Sequence, residues 1–137
     1  MSTASSTERK LELLTKLFQN LSIRGEKGIP IVVEGRKDSL TLRKLGVNGK
    51  IICIKSSTKV LMDILDDIES REVVLFVDFD DSGVSLARNI TQYLEGRGIK
   101  VDSIFWNRAR SLFRRDIKDV EGFSSYLEKL KKRANHS

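Results

Sequence analysis

The chain has 137 residues, 39% hydrophobic and 32% charged, the balance of a soluble globular domain with one core. Its single cysteine, Cys53, excludes an internal disulfide and a zinc-finger ligand set, and no run reaches the ~20 apolar residues of a membrane span. The net charge of +6 favours an anionic partner such as nucleic acid and is silent about fold.

Residues 1–7 are small and polar and are expected to be disordered, with nothing of signal-peptide character, so a soluble, cytoplasmic protein is expected. Ser5 and Glu8 have capping-box spacing. Behind them Leu11, Leu14, Leu17, Phe18 and Leu21 recur at helical steps, predicting an amphipathic helix that ends near Arg24-Gly25. After Gly28 and Pro30 the pattern changes to short β-branched runs: Ile31-Val32-Val33, Ile51 to Ile54, Val73 to Val77, and Val101 to Phe105. Runs this brief and this apolar read as strands buried on both faces of a parallel sheet. Helical stretches are expected between them at about 37–45, 58–70 and 82–96, and a last one at about 119–132. The architecture is therefore an α/β sheet with helices on both faces and an added N-terminal helix. Residues 1–27 form the tail and amphipathic helix, and residues 28–137 the α/β domain with a basic helical C-terminus. Cys53 lies inside an apolar run and reads as a small core residue.

Two strands end in acids, as Val33-Glu34-Gly35 and as Val77-Asp78-Phe79-Asp80. A carboxylate at the tip of an apolar strand is costly without a partner, and the carboxyl ends of parallel strands are where ligands bind. In extended backbone Asp78 and Asp80 point the same way while Phe79 turns into the core. If the two strands are neighbours, Glu34 joins them and three carboxylates converge, a donor set suited to Mg2+ or Mn2+. Helix capping is the plainer role for such acids, with Asp81 or Ser82 expected as the cap of the helix near Gly83.

The segments Val32-Val33-Glu34-Gly35-Arg36-Lys37-Asp38 and Asp78-Phe79-Asp80-Asp81-Ser82-Gly83 resemble the two signature motifs of the Toprim domain. The resemblance covers roughly residues 28–105. Its Glu-Gly-x-x-Asp form is most similar to ribosomal-RNA maturases of the M5 type and to small stand-alone Toprim proteins of archaea and bacteria. It implies a Rossmann-like fold with a four-stranded parallel sheet flanked by helices. It also implies Mg2+ held by Glu34, Asp78 and Asp80, with Glu34 as general acid or base. No zinc module or second domain of topoisomerase or primase type is present, and Tyr93 and Tyr126 are not evident strand-cleaving nucleophiles.

Residues 100–137 carry ten Lys/Arg against five Asp/Glu, whereas residues 1–99 carry fifteen against fourteen. Arg108, Arg110, Arg114, Arg115 and Lys118 run beside Phe105, Trp106 and Phe113. Basic groups track phosphates and exposed rings stack on bases. The two phenylalanines read as core, while Trp106 is either a stacking platform or core. Arg36 and Lys37, beside Glu34, are placed to hold a phosphate. Asp116, Asp119 and Glu121 form a second acidic patch, with Asp119 expected to cap a helix, and the Lys129–Arg133 tail reads as a solvated helix end. His136 is expected to be disordered.

The reading is thus a Mg2+-dependent Toprim protein that hydrolyses nucleic-acid phosphodiesters, RNA favoured over DNA. The alternatives are a non-catalytic nucleic-acid-binding module, or a subunit of a processing complex that docks through the leucine stripe. That stripe must be buried, either within the chain or in a symmetric homodimer.

Overall fold

In a computed structural model, residues 5–55 and 59–135 are described, and the β-branched runs do form one sheet. The elements, in chain order, are α1 (Ser6–Glu26), β1 (Ile31–Val33), α2 (Arg36–Lys44), β2 (Ile51–Cys53), α3 (Leu61–Asp66), β3 (Glu72–Leu75), α4 (Asp81–Gly96), β4 (Lys100–Asp102), α5 (Ile104–Phe113) and α6 (Gly122–Asn135). The four strands are parallel in the order β2-β1-β3-β4, with Val32 opposite Ile52 on one side and Leu75 on the other. The ladder continues past β3, since Phe76 N–H donates to the Val32 carbonyl at 2.9 Å. β1 and β3 are neighbours, so Glu34 and Asp78 leave the sheet from adjacent strands.

α1 starts where its cap places it. The Ser5 hydroxyl accepts the Glu8 N–H at 3.1 Å, a contact worth about 1 kcal/mol. The helix therefore reaches back into the stretch expected to be disordered, of which residues 1–4 lie outside the described residues, as does His136. Leu14, Leu17, Phe18 and Leu21 are buried within the chain, where α1 packs on α5 and α6. The Phe18 ring stands edge-on to Phe76 at 5.9 Å and to Phe123 at 5.1 Å. That burial removes the stripe as a docking face or dimer interface.

Leu75 and Phe76 point to opposite faces, as neighbours near a strand end must. Phe76 meets α1 and α6 through Phe18 and Phe123, whereas Leu75 lines a groove with Val84 and Ala87 of α4. Phe123 is the hub of the first face, also in ring contact with Phe79 and Phe113. α3 lies beside α4, tied by the Tyr93 hydroxyl to Asp66 and by Arg97 to the Leu65 carbonyl.

The expected fourth strand is shorter than its apolar run. Asp102 Oδ1 accepts the Ile104 N–H at 3.0 Å, turning the chain into α5. Phe105, Ala109 and Phe113 then fall on one buried helical face, a four-residue period hidden by the unbroken Ile104-Phe105-Trp106. The helix expected over 58–70 is only Leu61–Asp66, and residue 58 lies outside the described residues.

Candidate metal centre

Glu34, Asp78 and Asp80 all lie at the carboxyl end of the sheet, each placed by a different local device. Glu34 follows the last residue of β1, and its side chain is only 14% exposed. Lys55, just past β2, donates its backbone N–H to the Glu34 carbonyl at 2.8 Å and its ammonium to Oε2 at 3.2 Å. Asp78 is half-buried, and its Oδ1 accepts the Val120 N–H at 2.9 Å. The neighbouring Phe79 N–H donates to the Lys118 carbonyl at 2.7 Å, so the segment before α6 is stitched to the end of the third strand. Asp80 is exposed and is itself the N-cap of α4, its Oδ1 accepting the Gly83 N–H at 2.7 Å. The cap expected of Asp81 or Ser82 thus belongs to Asp80. Gly83 is needed there because a Cβ would stand 2.2 Å from the Asp78 carbonyl oxygen.

A further acid joins them. Asp38, on the first turn of α2, is 8% exposed and accepts the Gly35 N–H at 3.0 Å. Burial first, and then the charges of Glu34, Asp119 and Glu121, push its carboxyl up. Asp78 responds more strongly and is pushed up to about 6. Burial is the main cause, with Asp38, Glu34 and Asp119 adding to it and the Val120 N–H opposing it. Among the described residues, however, no three Asp, Glu, His or Cys side chains stand close enough to hold a metal ion. The expected convergence of Glu34, Asp78 and Asp80 on one point is not formed. Each nevertheless commits one oxygen to its own chain and leaves the other without a hydrogen-bond partner among the described residues. An all-carboxylate set of this kind, with one carboxyl raised mainly by burial and further by its acidic neighbours, fits a hard divalent cation chemically.

Asp38 and Lys55 are absent from the sequence-derived site. The Glu-Gly-x-x-Asp spacing could have flagged Asp38, since it places the acid on the first turn of a helix beginning after Gly35. Nothing in the sequence flags Lys55, which arrives by the β1–β2 register.

The basic residues divide. Arg36 and Lys37 are exposed on the first turn of α2, and Lys37 borders a cleft of about 570 Å3 between α2 and α6, opposite Asp119 and Glu121. Asp119 caps the turn into α6 as expected, its Oδ1 accepting the Gly122 N–H at 2.8 Å. Arg114 and Arg115 are exposed. Arg108 and Arg110 do not form one surface, because two positions along a helix point about 200° apart. Arg108 lines a groove against α1, whereas Arg110 faces α4. Trp106 is no stacking platform for bases. It is 6% exposed, and its indole N–H donates to the Val77 carbonyl at 2.9 Å. Tyr126 donates to Asp116 at 2.9 Å, and burial and that carboxylate push its phenol up to about 12. It is held protonated on Asp116.

A four-stranded parallel sheet with Glu34 and Asp78 on adjacent strand ends is the arrangement of the Toprim domain, whose family model matches residues 28–105. The chain is a Toprim-domain protein. The UPF0292 protein of Methanocaldococcus jannaschii is 36% identical over 119 residues, covering 86% of this chain and 92% of that one. The UPF0292 protein of Methanosarcina acetivorans is 30% identical over 131 residues, covering 94% and 90%. Among solved structures, a putative protein from Aquifex aeolicus superposes with a TM-score of 0.68 at 25% identity, covering 80% of this chain and 96% of that one. Within the Toprim class the chain belongs to the UPF0292 family. No helix among the described residues is long and apolar enough to cross a membrane.

Proposed function

We propose that the protein is a Mg2+-dependent enzyme that hydrolyses nucleic-acid phosphodiesters. The observation that carries this reading is Asp78, a half-buried carboxyl pushed up to about 6 by burial and by Glu34, Asp38 and Asp119, within the residues 28–105 that match the Toprim family model. A phosphodiester brought to these acids would be repelled unless a cation stood between. Glu34, Asp78 and Asp80 hold that cation in this reading, and Mg2+, or Mn2+ in its place, supplies Lewis-acid stabilisation of charge on the phosphate. Glu34 moves the proton, oriented by the Lys55 ammonium on Oε2. Arg36 and Lys37 bind the phosphate, aided by the positive end of α2. RNA is preferred as substrate because the Glu34-Gly35-x-x-Asp38 form is similar to that of the M5-type maturases. The use of Asp80 Oδ1 as a helix cap favours a second reading, a nucleic-acid-binding module without catalysis.

Mg2+ titration and a panel of RNA and DNA substrates, each with and without Mg2+, test both readings. Wild type should bind Mg2+ and cleave, and the Asp78→Asn/Asp80→Asn protein should do neither. Equal Mg2+ binding by the two proteins rejects the metal assignment. Nucleic-acid binding without cleavage across the panel selects the binding module.

A further inference from the structure

We infer that the groove between α4 and α5 is a phosphate subsite for the nucleic-acid strand, with Arg110 and Arg88 as its cations. The inference rests on the proposed function for the identity of the strand, though not for the binding of an anion. The groove has a volume of about 290 Å3, an apolar floor that includes Leu75 and Val84, and no carboxylate among its lining residues. The Arg110 guanidinium lies 4.6 Å from the centre of the Trp106 ring. Its Nε is buried without a hydrogen-bond partner, and Arg110 forms no ion pair among the described residues. Arg24 also has a partnerless buried Nε, but its terminal nitrogen meets Glu72 and Asp102. Arg110 alone of the two is left with its charge unanswered.

A buried donor with no acceptor is costly, and a guanidinium offers a planar fork that matches phosphate. The Trp106 ring under that fork is anchored on the Val77 carbonyl, with its nitrogen 3.4 Å from the Asp78 carbonyl. A phosphate held by Arg110 is thereby referenced to the strand end that carries Asp78.

Trp106 is the chain's only tryptophan, so its fluorescence reports on this groove. Binding of a single-stranded oligonucleotide in EDTA is measured by anisotropy over a range of salt. Arg110→Gln and the exposed-site variant Arg88→Gln should each bind about tenfold more weakly, with the log–log salt slope lowered by about 0.7. Arg71→Gln, at the opposite end of the sheet, should leave both unchanged, and Arg110→Lys should recover the slope but not the full affinity. Unchanged slopes in both Arg88→Gln and Arg110→Gln overturn the subsite. If wild type binds no oligonucleotide either in EDTA or with Mg2+, the proposed function fails, and the groove is judged by inorganic phosphate instead. A Trp106 response to phosphate in wild type that is lost in Arg88→Gln supports an anion site, and a silent wild type overturns it.

Discussion

The two ends of the sheet treat charge in opposite ways. Near the start of β3, Arg24 from the last turn of α1 meets both Glu72 and Asp102, with Lys100 at 4.0 Å from Glu72. Two acids face two bases, and the set closes on itself. At the other end Glu34, Asp38, Asp78 and Asp119 bear on one another, and among the described residues the exposed Lys55 on Glu34 is the ion pair that answers them. An ammonium with that exposure contributes only a fraction of 1 kcal/mol. One end is therefore a structural clamp, and the other is held under electrostatic stress that the proposed cation would relieve.

This contrast has consequences that can be measured separately. The largest concerns turnover. Glu34→Gln should lower cleavage by about 10²–10⁴-fold while leaving nucleic-acid affinity within a few-fold, as read by single-turnover assays and anisotropy. Parallel losses of both would show that Glu34 only shapes the site. At the clamp the expectation is reversed. Arg24→Ala strands Asp102, which is 7% exposed, and should cost about 2–3 kcal/mol in urea denaturation without changing cleavage by the folded protein.

The smallest effect concerns pH. Asp78 has a folded pKa of about 6, above its unfolded value, so the folded state holds the extra proton between about pH 4 and pH 6. Its contribution to stability is fully present below that window and is lost as pH rises through it. Asp78→Asn keeps an acceptor for the Val120 N–H and cannot ionise. In EDTA the variant should match wild type near pH 4 and exceed it on the order of 1 kcal/mol at pH 7, discounted for solvent reaching the carboxyl. Thermal melts across that range decide it, and a constant offset at all pH values would place the effect in packing.

The strands, the acids at their tips and the leucine stripe are legible in the sequence because each rests on local period or composition. α5 is not, because Ile104-Phe105-Trp106 extends the apolar run that begins at Val101 and hides the 105–109–113 period. Trp106 is left open by the sequence for a different reason. Its partner is a backbone carbonyl 29 residues away, and a carbonyl acceptor has no sequence signature. Asp80 shows a third limit. Alternation places it beside Asp78 only while the chain stays extended, but β3 ends at Leu75 and the following residues bend into the α4 cap.

The hydrogen bond from Val120 to Asp78 also sets an order of events during synthesis. The partner of β1 on one edge, β2, follows within about twenty residues, but its other edge waits for β3, and the acid end waits for residues 118–123. Phe123, the ring on which Phe18, Phe76, Phe79 and Phe113 converge, emerges at the same late moment. Contacts this distant in sequence are slow to close. A nascent chain that stops short of them has strands and acids but no enclosed Asp78, so competence of the carboxyl end is gated by the emergence of residues 118–123.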